Sequence, residues 1–122
     1  MAKYNFNQII FEGNVTKDPE SRFTPDGKQV SNFTVGVNYG DTVTWYRVTA
    51  WQKTAEACNT YLKKGAAVLV QGRLTPDSNG NPRVWEGTDG VSHASFEVTA
   101  QVVRFLSGKG EQATERDDEV PF

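Results

Sequence analysis

The sequence predicts an all-β domain: a closed barrel of five strands in Greek-key order, with one helix between the third and fourth strands and a disordered C-terminal tail. Three observations predict it. Apolar residues recur at every second position in several short segments, each bounded by Gly, Pro, Asn or Asp. Only one stretch carries the three-to-four spacing of a helix. Past Leu106 the periodicity stops, and Ser, Gly, Lys, Glu, Gln and Thr take over. The 122 residues therefore divide into a domain at 1–106 and a short flexible acidic tail at 107–122.

The first strand covers Tyr4 to Val15, with Gly13 late in it marking a bulge or sharp bend. A short pair follows, Glu20 to Thr24 and Gln29 to Val37, joined by Pro25-Asp26-Gly27-Lys28. In that turn Pro fixes φ and Gly accepts a positive φ. Tyr39-Gly40-Asp41 turns the chain into a strand from Thr42 to Trp51. The helix candidate is Thr54 to Lys64, stopped by Gly65, with Ala55, Cys58, Tyr61 and Leu62 on one face. Ala66 to Leu74 is a strand with Val68, Val70, Gly72 and Leu74 on one side. The polar stretch Thr75 to His93 reads as a long, mobile hairpin around Asn79-Gly80. Ala94 to Leu106 closes the domain, with Phe96, Val98, Ala100 and Val102 sharing a face. Three strands, a helix, then strand, hairpin and strand is the element order of the OB-fold. An SH3-like barrel has no such helix.

Composition excludes several functions. One cysteine, Cys58, permits no intrachain disulfide and no multi-cysteine zinc site, and one histidine, His93, removes most His-based clusters. No apolar run reaches the ~18 residues of a membrane span, and the start Met1-Ala2-Lys3-Tyr4-Asn5 lacks the apolar core of a signal peptide. These readings predict a cytoplasmic, cofactor-free protein. No nucleophile–histidine pattern, phosphate-binding glycine loop or metal-ligand spacing supports an enzyme. Glu12, Glu86 and Glu97 form no recognisable pair, and His93 has no obvious partner. The net charge of -2 hides an asymmetry: residues 107–122 carry two basic and five acidic residues, leaving 1–106 at +1. A body this close to neutral lacks the strongly basic footprint of a duplex-DNA binder.

One segment carries the chemistry. On alternating faces, Val43, Trp45, Arg47, Thr49 and Trp51 point one way, and Thr44, Tyr46, Val48 and Ala50 the other. An arginine between two tryptophans makes a poor core, because the guanidinium would need burial and pairing. Facing water, the same stripe suits an unpaired nucleobase: each indole stacks on a base for ~1–3 kcal/mol, and Arg47 meets a phosphate. Trp85, in the polar hairpin and far from apolar neighbours, is a third platform. Lys53, Arg22, Arg73 and Lys3 are candidate phosphate contacts. At the other end, Asp117-Asp118-Glu119-Val120-Pro121-Phe122 sets three acids before an apolar Pro-Phe. Such a peptide fits a partner's apolar pocket rimmed by basic residues.

The sequence resembles the bacterial single-stranded DNA-binding proteins of the homotetrameric OB-fold type. The resemblance rests on Asn7-Gln8-Ile9-Ile10-Phe11-Glu12-Gly13-Asn14-Val15, Asp18-Pro19-Glu20-Ser21-Arg22-Phe23 and Thr44-Trp45-Tyr46-Arg47-Val48. It continues through Tyr61-Leu62-Lys63-Lys64-Gly65, Val70-Gln71-Gly72-Arg73-Leu74 and the acidic Pro-Phe end. It implies a homotetramer in which Trp45, Trp51 and Trp85 stack bases and Arg47 and Lys53 line the DNA path. It also implies that Asp117 to Phe122 recruit replication, recombination and repair enzymes. The linker before the tip is shorter than is common in the family; roughly ten flexible residues reach ~16–19 Å. The turn at Asn38 to Asp41 is short as well, offering only Tyr39 where relatives place an aromatic on a longer hairpin. Two other readings of the residues stand beside this one: an RNA-binding OB module, and a protein–protein adaptor using the same aromatic face.

Overall fold

The computed structural model describes residues 4–106. Its elements are β1 (Ile9–Val15), β2 (Glu20–Phe23), β3 (Gln29–Tyr39), β4 (Thr42–Trp51), α1 (Gln52–Tyr61), β5 (Ala67–Leu74), β6 (Arg83–Glu86) and β7 (Ser92–Phe105). Five of the strands close a ring, β1–β5–β7–β4–β3 and back to β1. The β4–β7 pairing is parallel and the others antiparallel. This is the OB-fold. β2 extends β3 outside the ring, and β6 pairs with β7 as a separate hairpin.

β1 belongs to both ends of the ring. Ile9 to Asn14 pair with β5, while Asn14 and Val15 pair with β3. The bend expected at Gly13 is where this transfer happens: a Cβ there would lie 2.2 Å from the Gly36 carbonyl oxygen. Only glycine lets the two backbones approach so closely.

The barrel is filled by Phe11, Val15, Phe33, Val35, Val48, Val68, Val70, Val98 and Ala100. Ala55, Cys58 and Leu62 complete this core from the helix side. Burying each valine contributes ~1.5–3 kcal/mol. α1 packs against β3, β4 and β7, the position of the helix between the third and fourth ring strands.

Several boundaries differ from the sequence expectation. Residues 4–8 lie outside β1, with Tyr4 and Phe6 almost fully exposed. α1 begins and ends earlier than Thr54 to Lys64. Gln52 enters it with φ 56, a left-handed conformation that breaks sharply from β4. After Tyr61 the chain turns extended at Leu62, which goes to the core, while Tyr61 stays exposed beside Phe105. Gly65, with φ +92, belongs to the following turn rather than to the helix end.

β7 is bulged: Gly72 faces Ala100 but Gln71 faces Val102, so Gln101 is the extra residue. The bulge passes the inward position to Val103, which packs on the core in place of the expected Val102. Leu74 and Phe96, at the ends of their inward rows, are exposed. The stretch expected as one hairpin contains two turns. Asn79-Gly80 closes a loop in which the Asp77 carboxylate accepts from the Asn79 and Asn81 backbone N–H groups. The β6–β7 reversal lies further on, at Gly87 to Val91.

Candidate nucleic-acid interface

β4 organises the site. Its pleat sends Tyr46, Val48 and Ala50 towards the core and leaves Val43, Trp45, Arg47 and Trp51 exposed on the outer face. Paired residues of neighbouring strands share a face, so the outer row spreads sideways. Trp45 lies opposite Gly36, Arg47 opposite Thr34 and Thr49 opposite Asn32 on β3. On β7, Glu97 neighbours Arg47 and Thr99 neighbours Thr49.

Trp45 is 53% exposed. Its ring rests on Gly36, where a Cβ would come within 2.7 Å of the indole Cζ3. Trp51, at the end of β4, is 39% exposed. Its cross-strand partner Val30 is fully buried on the outer side, apart from the barrel core. Val30 is also opposite Arg22 on β2. The indole of Trp51 is thus placed to shield Val30 with part of its surface and leave the rest open.

Arg22 is tied into the same face. Its Nε donates to Asn32 Oδ1 at 3.2 Å, and Asn32 Nδ2 donates to Thr49 Oγ1 at 2.9 Å. Arg73 is exposed at the far margin, paired with Thr99 across the β5–β7 ladder. Lys53 is exposed in the first turn of α1, directly after Trp51 and Gln52. That turn has no acidic residue and no side-chain cap. A cation there opposes the helix dipole, and an anion binding beside it relieves the conflict.

Trp85 is placed differently from the expectation. It sits on the regular β6–β7 hairpin, half-buried, with its ring stacked on His93 at 5.7 Å. The Arg83 guanidinium lies 4.7 Å from the ring centroid, a cation–π contact. His93 therefore has partners after all, Trp85 and the Asp89 carboxylate at 3.5 Å. Lys3 and Asp117 to Phe122 lie outside the described residues.

The structure thus gathers Trp45, Arg47, Trp51 and Arg22 on one continuous face, sets Lys53 and Arg73 at its margins, and carries Trp85 on a neighbouring hairpin. A groove of about 300 Å³, lined by Lys17, Asn32, Thr34, Arg47, Thr49 and Glu97, runs beside this face. An adjoining hollow of about 410 Å³ is lined by Thr34, Val43, Trp45, Arg47, Ser95 and Phe96. Gly36 and Glu97 are neighbours of the candidate site residues that sequence reasoning missed, whereas the sequence places Arg83 only near Trp85. Gly36 could have been found as a mid-strand glycine facing a tryptophan. Glu97 could not, because its proximity to Arg47 depends on the parallel β4–β7 pairing. Cys58 is remote from the face, and burial pushes its thiol up to about 12. Among the described residues no group of three or more His, Cys, Asp or Glu is placed to hold a metal ion, and no helix is long and apolar enough to cross a membrane.

A closed OB barrel with two exposed indoles and one guanidinium group along its third ring strand defines an OB module with an open, aromatic and cationic face. The chain belongs to the single-strand binding protein family, whose model matches residues 6–106. It is similar to the single-stranded DNA-binding protein of Thermotoga maritima, at 35% identity over 95% of this chain and 86% of that protein. The corresponding protein of Neisseria meningitidis serogroup A is 29% identical over 89% of this chain. A crystal structure of a deletion mutant of the single-stranded DNA binding protein from Thermus aquaticus superimposes with a TM-score of 0.64 at 31% identity, covering 82% of this chain. The chain spans 64% of the Neisseria protein's length and 40% of the Thermus chain. The family is one of non-enzymatic DNA-binding proteins.

Proposed function

We propose that this protein binds and protects single-stranded DNA with little sequence preference. The observation that carries the reading is the outer row of β4, where the Trp45 ring packs over Gly36 and stays half exposed beside the exposed Arg47. Bases stack on Trp45, Trp51 and Trp85, since every base offers a π-face. Arg47, Lys53, Arg22, Arg73 and Lys3 meet phosphates. Stacking supplies the affinity that a body with a charge of only +1 cannot draw from electrostatics alone. The exposed apolar Tyr4, Phe6 and Ile10 favour assembly with further copies of the chain, in keeping with a homotetramer. The acidic tip, Asp117 to Phe122, recruits replication, recombination and repair enzymes in a nucleoid-associated cytoplasmic setting.

Titration with oligo(dT), following tryptophan fluorescence and light scattering together, tests this. Stacking quenches a large share of the emission, and the scattering reports stoichiometry. Parallel titrations with duplex DNA and RNA of equal length should bind more weakly. Preference for RNA identifies an RNA-binding OB module instead, and absence of any response to nucleic acid identifies a protein–protein adaptor.

A further inference from the structure

The outer face has an anion at its centre. Glu97 Oε2 lies 3.9 Å from Arg47 Nε and 3.5 Å from Arg83 Nη1, and accepts a hydrogen bond from Ser95 Oγ at 2.6 Å. Its side chain is 18% exposed, against 52% for Arg47 and 48% for Arg83. Glu97 also lines both the groove that holds Arg47 and a second hollow of about 330 Å³ that holds Arg83, Pro82 and Phe96. One carboxylate therefore joins the arginine next to Trp45 with the arginine that lies over Trp85.

Fold stability does not account for this arrangement. Ion pairs between half-exposed arginines and a carboxylate are worth little, and the β4–β7 and β6–β7 ladders already join the three strands. A carboxylate does, however, offer guanidinium groups the same kind of charge-assisted acceptor as a phosphate. We propose that Glu97 is an internal stand-in for the DNA backbone. It holds Arg47 and Arg83 in the strand's path while the face is empty, and the arginines pass from its carboxylate to phosphates when a strand arrives. Glu97 is then a positioning residue that limits affinity and keeps the complex reversible. The inference rests on the single-stranded DNA reading. It adds that Arg47 and Arg83 are already partnered before binding.

The two arginines and Glu97 carry a net single positive charge, which Glu97→Gln doubles without changing the side chain's shape. The experiment compares wild type, Glu97→Gln and Glu97→Asp by oligo(dT) titration across a salt series. Glu97→Gln should bind about three- to tenfold tighter at low salt, with a log K against log salt slope steeper by ~0.7, and converge with wild type at high salt. Glu97→Asp keeps the charge and should keep the wild-type slope. In an Arg47→Ala/Arg83→Ala background, Glu97→Gln should change little. Unchanged or weaker binding by Glu97→Gln overturns the proposal. So does persistence of its full effect without the arginines, which would mean simple repulsion of DNA by the carboxylate. Should Glu97→Gln fail to fold, Glu97→Ala makes the same charge change and is read the same way. Failure of the wild-type protein itself to bind oligo(dT) defeats the single-stranded DNA reading, a separate result.

Discussion

Trp45 owes its posture to Gly36, across the ladder. Any side chain at 36 would meet the indole within 2.7 Å and lift it off the sheet. Gly36→Val should therefore weaken oligo(dT) binding about as much as losing the ring. Trp45→Ala itself is expected to reduce binding by ~1–3 kcal/mol with an unchanged salt slope. Because Trp45 is 53% exposed, its thermal unfolding midpoint should stay near that of wild type. Arg47→Ala should make the salt slope shallower by ~0.7, one phosphate's share. Cys58 behaves in the opposite manner. Its thiol ionises at about 12 in the folded protein and near the ordinary 9.0 once unfolded. Stability on its account is fully present below pH 9 and is lost as pH climbs towards 12. Denaturant midpoints measured from pH 8 upward should fall across that window, and Cys58→Ala should flatten the fall.

The join between β4 and α1 is strained. Gln52 holds φ 56, a conformation that costs a residue with a Cβ ~1–2 kcal/mol. Gln52→Gly should raise stability by about 0.5–1 kcal/mol in chemical denaturation, part of the relief being returned as unfolded-chain entropy. This break also explains what the sequence did and did not reveal. The period-two pattern of Thr42 to Trp51 was legible because one face is core and the other is not. The helix limits were not, since Gln52 starts α1 against its intrinsic preference and Leu62 leaves it to be buried. Likewise the alternation in β7 reads correctly at Val98 and Ala100, then fails at Gln101, where a bulge inserts a residue without Gly or Pro to announce it. The sequence marks Trp85 as a candidate stacking platform, but its contacts with Arg83 and His93 arise from hairpin register.

In the molecule as a whole, charge and assembly set the remaining expectations. The body carries +1 and residues 107–122 carry -3. Truncation after Leu106 should therefore tighten oligo(dT) binding at low salt and matter less as salt screens the interaction. Removing Phe122 alone should leave DNA affinity nearly intact while abolishing capture of partner enzymes. Sedimentation should show an assembly of four copies, and replacing Tyr4 and Phe6 together with Ser should shift it towards smaller species. The ring order β1–β5–β7–β4–β3 explains why Glu97 and Arg47 become neighbours although fifty residues separate them in the chain.

Because the six-membered ring of the Trp45 indole packs against Gly36, a visitor can meet only the part of the residue that faces solvent. A nucleobase that settles there comes from the open side of the sheet. A strand held this way need not be threaded in or pulled out endwise. It can be laid down and peeled off base by base, so that an advancing enzyme could strip it from the protein at one end while the other end is still covered.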